Sequence, residues 1–111
     1  MAGTFVIEQS AKGKFRFNLR AGNHQVILSS EQYESKAGAE NGIESVRQNA
    51  ADDARYDRRT AKDGSPYFVL KAKNGEIIGK SEMYTTASSR EKGILSTRTN
   101  AKTAKVIDRT T

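Results

Sequence analysis

The chain of 111 residues contains no cysteine, no tryptophan, one proline and one histidine. Without cysteine, disulfides, thiolate metal sites and cysteine catalysis are excluded, and a cytoplasmic location is the natural expectation. Long apolar runs are also missing, since no stretch approaches the ~18 apolar residues that a membrane span requires. Residues 1–10 show no basic region followed by an apolar run, so we see no secretory signal. We expect a cytoplasmic protein without a membrane partner.

Apolar residues are scarce as well. They make up 35% of the chain, charged residues make up 29%, and the mean hydropathy is −0.74. A chain of this length buries roughly 60–70% of its unfolded surface. The core must therefore be thin, and the whole chain, residues 1–111, is expected to form one compact domain.

The chain does contain an internal repeat with a period of 51 residues. When residues 3–60 are laid over residues 54–111 without a gap, 19 of 58 positions are identical. A fixed period near 50 residues indicates one structural unit used twice, with each copy too small to bury its apolar face alone. We divide the chain into repeat one (residues 3–53), repeat two (residues 54–104) and a C-terminal strand (residues 105–111).

Each repeat has the pattern of three strands followed by a helix. Residues 15–20 alternate apolar and polar side chains with period two, which is typical of a half-buried strand. Asn74-Gly75 favours a hairpin turn because both residues tolerate positive φ. The predicted strands cover residues 4–8, 15–20 and 25–28 in repeat one and residues 55–60, 67–71 and 76–79 in repeat two.

Helices are predicted over residues 36–48 and 87–99. Ser35 and Thr86 stand at the N-cap positions, where a side-chain oxygen can accept hydrogen bonds from free backbone amides. One apolar stripe along the first helix is expected to face the core. It consists of Ala39, Ile43, Val46 and Ala50.

Two further features recur in both helices. Gly42 and Gly93 lie mid-helix at a cost of about 1 kcal/mol each against alanine, which we interpret as a requirement for close packing on the sheet. Asn49 and Asn100 at the helix ends suggest left-handed C-caps.

The tail, residues 105–111, aligns with residues 54–60 and is thus a third copy of the strand that opens each repeat. Two complete repeats need only two such strands, so the third should complete the sheet of the other repeat. The predicted fold is α+β: two tandem β-β-β-α repeats related by a pseudo-twofold axis, with an antiparallel sheet of six or seven strands and two helices packed on it.

The residues from Phe17 to Asn49 resemble the YegP-type family of small bacterial proteins. They follow the pattern F-x-L-x-A-x-N, then I-L-x-S-E-x-Y-x-S-x-x-x-A-E-x-G-I-x-S-V-R-x-N. The second copy, Phe68 to Asn100, carries the degenerate form I-I-G-K-S-E-M-Y-T-T-A-S-S-R-E-K-G-I. The resemblance covers essentially the whole chain. It implies an intramolecular pseudo-dimer of two repeats, and it implies no activity.

The sequence offers little for catalysis or for cofactor and metal binding. His24 lies in a predicted turn and aligns with Gly75, so a role in the turn is favoured over one as a general base. No phosphate-binding glycine loop or HExxH motif is present. Of the polar residues that both repeats share, Ser30/Ser81, Glu31/Glu82 and Tyr33/Tyr84 are interpreted as a strand-to-helix corner, with two equivalent ligand sites as the alternative. We expect a protein that is not an enzyme and that needs neither cofactor nor metal.

The net charge of +6 lies in repeat two. Residues 1–53 hold six Lys/Arg and seven Asp/Glu, whereas residues 54–111 hold thirteen and six. The sequence leaves the ligand of such a binding protein unspecified. A basic sheet face with an exposed tyrosine can hold single-stranded nucleic acid, which is the strongest functional alternative. Because Phe68 and Leu70 should point inward, Tyr67, Val69 and Lys71 should point outward. The candidate contacts are Arg55, Arg58, Arg59, Lys62, Tyr67 and Lys71.

Two alternatives stay open. The basic half can serve solubility alone, and an exposed strand edge can bind a protein partner by strand addition. The partner therefore remains unassigned between nucleic acid and protein. We expect a monomer, because the second repeat already supplies the surface that a partner copy would provide.

Overall fold

The computed structural model describes residues 3–110, so Thr111, the end of the proposed third strand copy, lies outside it. The alternating and helical patterns each produce the expected element, with ends that differ by at most three residues. A short 3₁₀ turn, Asp53–Arg55, precedes the strand that opens repeat two. The elements are β1 (Thr4–Gln9), β2 (Phe15–Arg20), β3 (Val26–Ser30), α1 (Lys36–Asn49), β4 (Tyr56–Thr60), β5 (Pro66–Lys71), β6 (Ile77–Lys80), α2 (Ala87–Ala101) and β7 (Lys105–Asp108).

All seven strands form one sheet in the order β4-β5-β6-β3-β2-β1-β7. The two repeats meet where β3 and β6 pair antiparallel, so a pseudo-twofold axis passes between these strands. This confirms the predicted α+β fold with two related repeats.

The C-terminal strand joins the opposite repeat. β7 pairs with β1, and the pairing is parallel, with Val106 opposite Phe5 and Ile107 opposite Val6. The sheet is thus antiparallel except at this one edge, because the chain returns from α2 in the direction of β1. The corresponding edge of β4 carries no eighth strand from residues 3–110.

Both helices pack on the same face of the sheet, each across the repeat boundary. α1 contacts β5 and β6 as well as β1 and β2, and α2 contacts β2 and β3 as well as β5. The predicted apolar stripe of α1 is buried, from Ala39 to Ala50. The aromatic residues Phe5, Phe17 and Phe68 are 0–1% exposed in the shared core. Neither repeat could bury its apolar face without the other.

The helix starts follow the prediction and the helix ends do not. The side chains of Ser35 and Thr86 accept hydrogen bonds from the amides of Gly38 and Ser89. The predicted left-handed C-caps are wrong, because Asn49 and Asn100 remain helical. Their side-chain amides instead donate to the carbonyls of Ser45 and Ser96, 2.8 Å away in both helices. The asparagines therefore satisfy carbonyls within the last turn.

The glycines at mid-helix accommodate aromatic side chains. A Cβ on Gly42 would lie 2.4 Å from the Tyr33 hydroxyl and 2.8 Å from the Phe17 ring, and a Cβ on Gly93 would lie 2.1 Å from the Tyr84 hydroxyl. The close approach is thus chiefly to the tyrosine that follows the last strand of each repeat.

Candidate nucleic-acid interface

The face of the sheet opposite the helices is not covered by any element of residues 3–110; we call it the open face. Strand alternation turns Phe17, Leu19, Phe68 and Leu70 toward the helices, and the residues between them toward the open face. The pairing register aligns one row of the open face across all seven strands. It runs Ile107, Val6, Asn18, Ser29, Lys80, Val69, Asp57.

Cations from both repeats share this face. The alternation places six of them beside only two carboxylates, Glu8 and Asp57. Repeat one contributes cations through β2, although it has no excess of positive charge overall. The six are Arg16, Arg20, Arg59, Lys71, Lys80 and Lys105.

Asp57 organises the repeat-two half of the face. Its carboxylate lies 2.9 Å from Arg59 Nε and 3.3 Å from Lys71 Nζ. The hydrogen bond from Arg59 holds the pKa of Asp57 below its usual range, with the hydrogen bond from Lys71 adding to the effect. One anion thus tethers two cations, and the cluster remains positive.

Tyr67 lies in the midst of these cations. Lys80 Nζ is 5.0 Å from the centre of its ring, within the range of a cation–π contact. Arg59 faces Tyr67 directly across β4 and β5. A half-exposed aromatic ring between two cations can stack a base while neighbouring side chains contact phosphates.

The repeat-one half is built differently. Asn18, the counterpart of Val69, accepts a hydrogen bond from Arg20 Nε at 3.0 Å and donates to Glu8 at 3.4 Å. Arg16 and Lys80 are exposed, and neither forms an ion pair with a residue of the described chain. These two cations are available to a ligand.

The six candidate contacts do not form one group. Arg59, Tyr67 and Lys71 come together on the open face. Arg58 points to the helix side, where its guanidinium binds Glu91 of α2 and Asp53. Arg55 lies in the 3₁₀ turn and pairs with Asp52 at 3.5 Å. Strand alternation thus places Arg58 on the helix side, opposite Arg59.

Lys62 lies in the exposed turn between β4 and β5, at the end of the sheet. Val69 does belong to the open face, as its position between Phe68 and Leu70 predicts. Its side chain is nevertheless covered, because only 2% of its surface is accessible. Tyr67, Lys71 and the cross-strand neighbours Asp57 and Lys80 surround it, and long polar side chains of this kind cover apolar surface with their stems.

Sequence reasoning did not include Arg16, Arg20 and Lys105 among the candidate contacts. The alternation within β2 already placed both arginines outward. What the sequence did not reveal was the strand order between the repeats, in which β3 pairs with β6.

Other candidate sites have structural roles. His24 holds φ 70°, the left-handed position that Gly75 occupies in repeat two with φ 89°. Ser30 and Ser81 each accept a hydrogen bond from a core strand amide and donate one to the following carbonyl.

Among residues 3–110, no three carboxylate or imidazole groups come together as metal ligands. No helix in that range is long and apolar enough to cross a membrane.

Comparison with known proteins assigns the family. The domain of unknown function DUF1508 matches twice, at residues 10–57 and 61–108. A UPF0339 protein of Bordetella pertussis is 56% identical over 99% of this chain and 98% of its own length. UPF0339 protein YegP of Escherichia coli strain K12 is 51% identical over 99% of this chain and 100% of its own.

Two solved structures have the same fold. The solution NMR structure of yegP from E. coli superposes with a TM-score of 0.94 at 51% identity, covering 99% of this chain and 95% of that chain. The solution structure of UPF0339 protein SO3888 from Shewanella oneidensis gives 0.93 at 47% identity, covering 99% and 93%. With two DUF1508 copies, full-length relatives and this shared fold, the chain belongs to the YegP-like UPF0339 family.

Proposed function

We propose that this protein is a cytoplasmic, monomeric, non-catalytic binding protein that holds single-stranded nucleic acid on the open face of its sheet. The observation that supports this most is that cations of both repeats share the one face that the helices leave uncovered, with Arg59 and Lys80 beside the Tyr67 ring. Phosphate contacts from lysine and arginine together with base stacking on an aromatic ring are the usual means of binding single strands.

The size of the face suits a short segment. Seven strands at about 4.8 Å spacing span roughly 29 Å, which allows contact with several consecutive nucleotides. The row from Ile107 to Asp57 crosses this whole width. Arg16 and Lys80 are the unpaired cations nearest to its middle, so the strand is expected to cross both repeats.

Strand addition at the edge of β4 is a weaker alternative. At the equivalent repeat positions, β1 carries Val6 and Ile7 and is paired with β7, whereas β4 carries Asp57 and Arg58 and has no outer neighbour among residues 3–110. Charged side chains on an edge strand oppose pairing with another strand. The β4 edge is therefore protected in the way that exposed edges of monomeric proteins usually are.

An amide-resolved NMR titration with mixed-sequence single-stranded RNA and DNA, at low and near-physiological salt, tests the proposal. We expect shifts at Arg16, Tyr67 and Lys80 that weaken steeply with salt, because counterions are released on binding. Lys80→Glu should lower the affinity by about tenfold or more, and Tyr67→Ala should do so by the loss of stacking worth about 1–3 kcal/mol.

Lys102→Glu is the matched control. Lys102 is equally exposed but lies at the end of α2, on the helix side, so its charge reversal should leave binding within about twofold. Silence at low salt, or equal losses in the Lys80 and Lys102 variants, would overturn the proposal and favour a protein partner.

A further inference from the structure

A cavity on the helix side of the molecule lies between the two repeats. One wall is the β2–β3 hairpin of repeat one, and the other is the strand-to-helix corner and first half of α2 in repeat two. Its volume is about 350 Å³, within the range of small-molecule sites. Neither wall belongs to the open face, so this site is independent of the proposed function.

Two unpaired charges of opposite sign line the cavity. Glu82 precedes α2 and Lys92 lies on it, and both side chains are exposed. Neither side chain forms a hydrogen bond or an ion pair, with the other or with any other residue between 3 and 110. An acid and a base that share a cavity without neutralising each other suit a ligand with both charges.

Tyr84 adds a hydrogen-bond donor to the same lining. Burial raises the pKa of its hydroxyl, and the negative charge of Glu82 raises it further, so the phenol stays protonated at neutral pH. The ring stacks on Phe68 with 6.4 Å between centroids, which fixes its position. Ile27 and Ala21 complete the wall with apolar surface.

The residues that line the cavity are identical between the two repeats more often than the other aligned positions. Seven of the ten positions are identical in the two repeats, against 19 of 58 along the whole alignment. Core packing or turn geometry explains most of these identities: Ile27 is buried, and the Asn23 side chain accepts the amide of Gln25. The carboxylates of Glu82 and of its equivalent Glu31 have no hydrogen-bond or ion-pair partner among residues 3–110. Packing and turn geometry therefore do not explain why both repeats carry glutamate at this position.

The three positions that differ set the two repeats apart. Gln25, Ser89 and Lys92 correspond to Glu76, Gly38 and Asn41, so the positions related to this lining by the repeat carry no cation. We propose that the cavity binds one free α-amino acid per chain, with its ammonium group at Glu82, its carboxylate at Lys92 and its side chain toward Ile27. The Tyr84 hydroxyl donates to the carboxylate.

The test is a ¹H–¹⁵N NMR screen of the full chain with pools of the common L-amino acids at about 10 mM, which detects dissociation constants in the millimolar range. We expect at least one amino acid to shift the amides of Tyr84, Lys92 and Gly93. The matched amine without the carboxylate and the matched acid without the amine should each bind at least about tenfold more weakly.

Three variants complete the experiment. Glu82→Gln and Lys92→Met should each weaken binding about tenfold or more, and both are surface changes that preserve the fold. Glu31→Gln, the same change in repeat one, should leave the affinity within about twofold. If no pool shifts these amides, if Glu82→Gln retains binding, or if Tyr33 and Gly42 respond equally, the proposal is wrong.

Discussion

The Nε atom of Arg58 lies 2.9 Å from both carboxylate oxygens of Glu91, and its Nη2 atom lies 3.0 Å from Asp53. This arginine joins the free edge strand β4 to helix α2 and to the 3₁₀ turn. The sequence made Arg58 a candidate nucleic-acid contact, but its guanidinium forms ion pairs within the protein. Its repeat-one counterpart, Ile7, is buried in the core, on a strand whose edge is paired with β7.

Glu91→Gln should destabilise the protein at neutral pH and not in acid. The hydrogen bond from Arg58 lowers the pKa of Glu91, so its contribution is present above the unfolded-state pKa and disappears as the pH falls through the folded-state value. Because the pair is half exposed, we expect a loss of at most about 1 kcal/mol at pH 7. Urea unfolding at pH 7 and near pH 3 measures this, with Glu44→Gln as control. A deficit that persists unchanged in acid would contradict it.

Arg47→Ala should cost far more than Arg98→Ala, although the two arginines occupy the same repeat position. Arg47 donates to the carbonyls of Ala101 at 3.0 Å and Ala104 at 2.7 Å, and its guanidinium lies 5.0 Å from the centre of the Phe5 ring. Arg98 is exposed and makes no hydrogen bond within the described chain.

We expect losses of about 2–3 kcal/mol for the Arg47 variant and under about 0.5 kcal/mol for the Arg98 variant, by chemical denaturation. Equal effects would mean that the carbonyls at the end of α2 find other donors.

Gly93→Ala should destabilise the protein by about 1–3 kcal/mol, although alanine is the better helix former. The new Cβ would lie 2.1 Å from the Tyr84 hydroxyl and 2.6 Å from its Cζ atom, and a packed ring cannot move aside as a flexible chain can. With Tyr84→Ala in place, the same substitution should become neutral or stabilising. A double-mutant cycle by thermal unfolding gives the coupling; additivity would contradict it.

Lys36→Ala should raise the pKa of Asp108. The hydrogen bond from Lys36 and those from Thr110 hold this pKa at about 2. Without the lysine we expect a rise toward the ordinary aspartate value, while the bonds from Thr110 keep part of the shift. A side-chain carboxyl NMR titration of both proteins tests this. An unchanged midpoint would mean that α1 and β7 are not held together by this pair.

The architecture was predictable because it follows from the repeat and from strand alternation, which are local or periodic. The parallel pairing of β7 was not, since the sequence identifies a third strand copy but not the direction in which the chain reaches β1. The site was half predictable. Alternation placed Tyr67 and Lys71 outward, but it took the pairing of β3 with β6 to bring Arg16 onto the same face. Residue type alone did not predict the role of Asn49. Asparagine suits a left-handed cap, but here its side chain donates a hydrogen bond to the Ser45 carbonyl of the same helix.

The pairing of the first strand with the last has a consequence for synthesis on the ribosome. When repeat one emerges, β1 has neither its outer neighbour nor the second helix beside its sheet, since β7 is made last. Nascent chains begin to fold from the N-terminus only where a complete unit is available. Here the sheet is complete only when β7 has left the exit tunnel, so a nascent chain that stops before β7 would leave the edge of β1 unpaired and expose Val6 and Ile7 to chaperones.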